Sequence, residues 1–294
     1  GAGHWLALLL GLAVVAVPRA TETVQAQAPG LDELLARVTQ RIAEVYKLAE
    51  RVICIETSTV QPVDMNFSSQ GFLRTVEAEL RVDTAAADLD GEAAVVRRVL
   101  KVNGRVPRPR DEKALDGCTD PNPLSTEPLA FMLPAHRADY RFPSAGTGRD
   151  RNRAVFLIDF ASANRKSDLE LIEDRAGHDD CFDWTGHTFE RGRIWVDAAT
   201  YDVVRIDRRI GGPTTVKVPL RIQRKHGLDR QIVLVRDDTT IRYRTVAFQD
   251  PDERLLLPES IDSLTLLQGG LQSTRRHQTY ADFRRFVGES RIVD

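Results

Sequence analysis

Lysine is scarce. It occupies six positions, 47, 101, 113, 166, 217 and 225, among 41 basic residues, so arginine carries nearly all the positive charge. Arginine can read phosphate bidentately. Here 43 acidic residues leave a formal net charge of −2, so the chain as a whole has no field that would gather nucleic acid. The bias toward arginine reads more simply as GC-rich coding. Cysteine is scarce too: three residues exclude a disulfide-dense scaffold. There is no Gly-x-Ser-x-Gly elbow, no His-Glu-x-x-His pair and no Walker loop, which removes the commonest hydrolase and nucleotide readings. No fixed-period repeat or long low-complexity tract appears.

An apolar run of membrane-spanning length is also missing. The longest, Trp5–Val17, has 13 residues, where a span needs about 20. It is followed by polar residues and by Ala26-Gln27-Ala28, a small-x-small cleavage pattern. Residues 1–28 therefore read as a secretory signal peptide, with an uncleaved anchor as the alternative. The opening on Gly1, with no basic residue before the run, reads as a truncated start. Export would place the protein in the periplasm or outside the cell, with no stable transmembrane span after cleavage. In that oxidising setting Cys118 and Cys181, both in polar turn-like segments, are the favoured disulfide. Three pairings remain open on spacing alone. Cys54, within Arg51-Val52-Ile53-Cys54-Ile55, reads as a small core residue.

What is present is one amphipathic helix and many strands. Leu31, Leu34, Leu35, Val38, Ile42, Val45, Tyr46 and Ala49 recur at three and four, predicting a helix from Leu31 to about Val52 with one apolar stripe. Strands follow at 53–60, 71–82 and 93–102, the last ending on the hairpin signal Asn103-Gly104. Prolines 107, 109, 121, 123, 128 and 134 mark a long connection, 105–135, with one short helix near Ser125–Leu133. The centre of the pattern is Ala154–Phe160, Gly192–Asp197 and Asp202–Asp207, the last two a hairpin. Further strands are predicted at 139–142, 215–224, 230–236, 239–248, 260–267 and 271–285. Gly146-Thr147-Gly148 reads as a turn, and 161–190 as a polar loop. The fold class is α+β: about ten antiparallel strands in a curled, unclosed half-barrel packed on the N-terminal helix. Residues 29–294 form one domain with a Pro-rich insertion near 105–135.

The helix 31–50, the strand Gly71–Val82, the pair Gly192–Asp197 and Val203–Ile206, and the closing stretch Arg275–Phe286 together resemble the outer-membrane lipoprotein carrier-like superfamily. Nearly the whole mature chain also resembles secreted proteins of acidobacterial type. The resemblance implies a half-barrel with helices in its mouth and an apolar cavity for acyl chains. It implies a periplasmic carrier or sensor of lipid or lipoprotein, without catalysis or cofactor. The chain departs from the small carriers in its length, its Pro-rich insertion and its cysteines.

The inward faces of the strands nominate Phe72, Val76, Leu80, Phe156, Ile158, Trp195 and Leu220 as ligand-lining residues. The same residues would form a packed core in any sheet protein, and sequence does not separate the two. Lys217, Arg221 and Lys225, on one face of a strand Thr215–Lys225, with Arg205 and Arg209 nearby, nominate a basic patch for anionic headgroups or an acidic partner. A solvated face balanced by Asp207, Asp237 and Asp238 is the blander alternative. His178, Asp179, Asp180, Cys181, Asp183 and His187 are zinc-type ligands in ten positions, but their spacing matches no established site, so no metal is expected. Asp197 and Asp207 are read as surface carboxylates, not an acid–base pair. The expected function is lipid or acyl binding in the envelope. The alternative is an envelope protein–protein interaction module with a solid core.

Overall fold

A computed structural model describes residues 29–49, 52–83, 94–109, 127–173, 182–249 and 252–285. Cys118, Cys181 and His178–Asp180 lie outside these residues. Helix α1 spans Leu31–Ala49. It buries Leu34, Leu35, Val38, Ile42 and Val45, the stripe that three-and-four spacing requires. Asp32 and Glu33 sit in its first turn and Lys47 in its last, each favourable to the helix dipole.

Thirteen strands are described: β1 Val52–Pro62, β2 Arg74–Asp83, β3 Ala94–Val102, β4 Tyr140–Asp150, β5 Arg153–Ser162, β6 Leu169–Glu173, β7 Phe182–Thr185, β8 Glu190–Asp197, β9 Val203–Ile210, β10 Thr214–Lys217, β11 Gln231–Gln249, β12 Asp252–Gln268 and β13 Thr274–Arg285. Ten run side by side in the order β3-β2-β1-β13-β12-β11-β9-β8-β5-β4, and among the described residues the two ends do not meet. The sheet is open, mostly antiparallel, and hydrophobic on its inner face. β1 shows the rule: Val52, Cys54, Glu56, Ser58 and Val60 are buried, while the residues between them are half-exposed.

Five readings of the sequence change. The stretch Thr215–Lys225 is not one strand. Pro219 has no N–H for a ladder and stands as N-cap of a second helix, α2, Leu220–His226, which ends on Gly227 at φ 67°. Arg230–Arg236 and Thr239–Phe248 are not two strands but one, β11; the Asp237-Asp238 pair that looked like a break is held in place. Asp237 accepts from Thr265 Oγ1 at 2.9 Å, and Asp238 pairs with Arg236. Gly146-Thr147-Gly148 lies inside β4, and the tight turn falls on Arg151 and Asn152, both at positive φ. The supposed polar loop 161–190 contains β6 and β7, and β6 pairs in parallel with β10, so the sheet is not wholly antiparallel. The short helix of the Pro-rich segment is a single 3-10 stretch, Glu127–Met132.

The main core joins α1, the 127–132 segment and the inner faces of β1, β2, β5, β8, β9 and β11–β13. A smaller core lies between α2, β6, β10 and the start of β11, around Leu169, Leu171, Val216, Ile222, Ile232 and Leu234. Gly192 in β8 allows the sheet to close on Phe160. A Cβ there would stand 2.0 Å from the Asp207 carbonyl oxygen and 2.6 Å from Phe160 Cζ. Gly192→Ala is therefore expected to destabilise the fold by about 3 kcal/mol, the upper end of ordinary overpacking. A urea midpoint unchanged from the parent would contradict this.

Candidate ligand site on the concave face

The concave face is plugged. α1 and the side chains of Leu129, Phe131 and Met132 lie against Phe156, Ile158, Phe160, Ile194, Val196, Ile206, Ile241 and Leu257. Under α1, among the described residues, the space that remains is small. A cavity of about 20 Å³ is lined by Ile42, Val45, Leu129, Val203, Tyr243 and Leu257, with Arg41 and Asp202 in its wall. That holds one water-sized group and no acyl chain.

Few polar contacts hold the plug. Arg41 Nε donates to Asp202 Oδ1 at 2.5 Å. Thr200 Oγ1 donates to Asp202 Oδ2 at 2.8 Å, fixing the carboxylate on the β8–β9 turn. Burial works against the Arg41 charge, but the hydrogen bond and field of Asp202 outweigh it and raise the guanidinium above its ordinary range. Arg37 donates to Tyr201 Oη at 2.7 Å and lies over its ring. Thr39 Oγ1 donates to the Met132 carbonyl at 2.9 Å, tying α1 to the 3-10 segment.

Beyond Phe131 the concave face opens into a cleft of about 560 Å³, lined by Phe131, His136, Tyr140, Asn164, His187 and Arg208. Tyr140 donates to Glu190 Oε1 at 2.5 Å, and Arg208 stands 3.4 Å from the other carboxylate oxygen. Burial first, and the Glu190 charge second, push the Tyr140 phenol well above its usual range, so it stays a neutral donor. The cleft thus joins an aromatic floor to polar walls.

The opposite half of the concave face carries a buried polar group. Glu56, 1% exposed, accepts from Arg97 Nε at 2.8 Å and from Gln278 Nε2 at 2.6 Å. Arg97 Nη2 and Gln278 Oε1 are buried with no hydrogen-bond partner.

Of the nominated lining residues, Val76, Leu80, Phe156 and Ile158 lie buried on the concave side. Three do not. Phe72 precedes β2, after Gly71 at φ 62° has turned the chain, and is 95% exposed. Trp195 is on the outer face of β8, opposite Ile194 and Val196, beneath the Arg205 guanidinium at 4.3 Å. Leu220 opens α2 and is 57% exposed.

The basic patch divides. Arg205 makes a bidentate pair with Asp207 at 2.9 and 2.5 Å on the outer face, and Arg209 is exposed on the same strand. Lys217 is exposed at the end of β10. Arg221 and Lys225, one helical turn apart on α2, both pair with Glu173, at 2.6 and 2.5 Å, and His226 joins them at 3.0 Å. The hydrogen bonds from Lys225 and His226 and the nearby Arg221 charge bring the Glu173 pKa down from 4.5 to about 2. A depressed carboxylate contributes fully above its unfolded value, and the contribution is lost as pH falls through the folded one. Glu173 is thus expected to remain ionised near pH 3 in a carboxyl-carbon NMR titration, and Lys225→Met to move it back toward 4.5. A midpoint already near 4.5 in the parent would contradict the cluster.

Among the described residues no three metal-ligating side chains come together. His187 instead bonds the Asn164 carbonyl through Nε2 at 3.0 Å, and its backbone N–H donates to Asp168 Oδ1. Cys54 is fully buried, and burial pushes its thiol up to about 12, which leaves it unreactive. No helix among the described residues is long and apolar enough to cross a membrane.

No protein-family model matches the chain, and no curated protein matches it. Among solved structures it is similar to a domain from Vibrio parahaemolyticus described as an outer membrane lipoprotein-sorting protein, at 11% identity over 88% of this chain and 95% of that one, with a TM-score of 0.38. It is also similar to a LolA-superfamily protein from Nitrosomonas europaea, at 11% identity over 87% and 97%, TM-score 0.29. A chain of the Pseudomonas aeruginosa MucA/MucB complex is similar at 10% identity over 85% and 99%, TM-score 0.23.

Proposed function

We propose that the protein is a non-enzymatic envelope carrier that binds a lipid or other acylated ligand on the concave face, in place of α1. The observation that supports this is a separable plug: an apolar helix on an apolar curved sheet, tethered at a few polar points. The magnitudes are matched. Exposing the five buried side chains of α1 costs about 8–15 kcal/mol. An acyl chain of about 16 carbons, at about 0.8 kcal/mol per methylene, supplies about 13 kcal/mol. Exchange is then close to balance, as a carrier that must also release its cargo requires. The polar head of the ligand would lie in the cleft beside Tyr140 and Arg208, next to Phe131, which belongs to both core and cleft.

A second reading, an envelope interaction module, is favoured by one observation: the closed core leaves only about 20 Å³ on its apolar side. Titration with an anthroyloxy-labelled fatty acid separates the two. The carrier binds it saturably, one per folded chain, and unlabelled fatty acid displaces it. The absence of saturable uptake would leave the interaction module.

A further inference from the structure

Soluble surfaces seldom present large apolar side chains in a group. Among the described residues seven large hydrophobic side chains are exposed, and five of them, Met65, Phe67, Phe72, Leu73 and Val106, lie at one end of the sheet. Four are on the β1–β2 connection, 63–73, and Val106 is on the turn that follows β3. The two turns are joined. Asn103 N donates to the Thr75 carbonyl at 2.7 Å, and Thr75 N donates to Asn103 Oδ1 at 2.8 Å.

These tips are built, not slack. Asp64 Oδ1 accepts from the N–H groups of Asn66 and Ser68 at 2.8 and 2.9 Å. The Asp64 carbonyl accepts from Phe67 N, the Pro62 carbonyl from Gln70 N, and the Ser273 carbonyl from Val63 N. Gln61 Nε2 donates to the Gln70 carbonyl at 2.9 Å. In the second turn, Val102 and Arg105 exchange backbone hydrogen bonds in both directions. Much of the backbone of both tips is therefore satisfied from within. That is the condition for entering a medium without hydrogen-bonding partners.

Among the described residues of the two turns, Arg105 and Arg108 are exposed on the second, and the first carries one carboxylate, Asp64, which the loop already engages. Arg236, which pairs with Asp238, lies over the Phe67 ring at 5.5 Å. Aromatic and aliphatic tips ringed by arginine fit the headgroup region of an anionic bilayer, where rings bury their faces and guanidinium groups meet phosphate. The geometry points to a membrane-docking rim made of residues 63–73 and 103–108. It seats the protein end-on against an anionic lipid surface without spanning it. The inference rests on the rim alone and does not require the carrier reading.

The test reads the two ends of the molecule separately, so that the apolar segment Trp5–Val17 cannot mimic docking. Tryptophan is placed at the rim, Phe72→Trp, or on the exposed β8–β9 turn at the other end, Ala199→Trp, in the full chain. Each protein is mixed with phosphatidylglycerol vesicles containing brominated lipid, and the added emission is followed. Docking predicts strong quenching at 72 and little at 199. It also predicts at least a tenfold weaker partition for Phe72→Ser/Leu73→Ser. Arg105→Gln/Arg108→Gln is expected to weaken binding at least fivefold on phosphatidylglycerol and to have no effect on phosphatidylcholine. Phe72 is exposed enough that thermal melting should not change. Equal quenching at both positions, no quenching at either, or undiminished partition of the serine variant would each overturn the proposal. So would a rim shielded by a co-purifying protein in place of lipid.

Discussion

Replacing Arg41 with alanine is expected to tighten fatty-acid binding about tenfold while lowering the stability of the ligand-free protein. The paradox is only apparent. Besides its pair with Glu44 inside α1, Arg41 holds the plugged state through its 2.5 Å hydrogen bond to Asp202. Asp202 is 8% exposed and keeps Thr200 as a second partner, so losing the guanidinium leaves a largely buried carboxylate short of one donor. Charged hydrogen bonds of this kind contribute about 1.5–3 kcal/mol. If ligand must displace α1, that energy opposes binding, and apparent affinity rises as the competent state becomes more populated. About 1.4 kcal/mol is a factor of ten. Arg37→Ala should act in the same direction and more weakly, since Arg37 is half-exposed and also pairs with Glu33. The check is a paired measurement on each variant: urea midpoint without ligand, and fatty-acid Kd. Stability and affinity both falling would mean that α1 belongs to the ligand site and is not its competitor.

Glu56→Ala is expected to cost about 3–5 kcal/mol, enough to threaten the fold. The carboxylate is the shared acceptor of Arg97 Nε and Gln278 Nε2 in a place that water does not reach. Its removal leaves a largely buried guanidinium, already carrying one unpartnered nitrogen, without its counter-charge. Glu56→Gln keeps an acceptor and should cost far less. Glu56→Leu with Arg97→Met should recover much of the loss, because removing both charges also removes their desolvation. If the single and double variants melted alike, the pair would not be acting as a unit, and a double-mutant cycle reads this directly.

The sheet and helix were legible wherever periodicity is local. The three-and-four spacing of Leu34, Leu35, Val38, Ile42 and Val45 found α1, alternation in β2 placed Val76 and Leu80 on the buried side, and the unbroken apolar run of β5 marked a central strand. Trp195 was misplaced although a signal was present: it shares parity with Arg193 and Asp197, and a large ring can cover a sheet's outer face when arginine stacks on it. Pro219 was the missed sign of α2. Phe72 followed a glycine that ended the alternation.

The contacts that give the concave face its character were not legible at all. Arg41 and Asp202 are 161 residues apart, and Glu56 and Gln278 are 222 apart. Each reads alone as an ordinary polar residue. Only the folded register, Ser58 against Gln278 and Leu80 against Arg97, brings the buried group together. The same holds for the plug: an apolar stripe says that a helix must be covered, and not whether its cover can be exchanged for a ligand.

The most direct test of that exchange is the mass of the folded chain. The protein is purified from an exporting cell without detergent and measured by native, then denaturing, mass spectrometry. The carrier account predicts a fraction with one lipid-sized adduct per chain, lost on denaturation, and a larger fraction in Arg41→Ala. A bare mass in both proteins, with no fatty acid taken up on addition, would contradict it and leave α1 as a fixed part of the core.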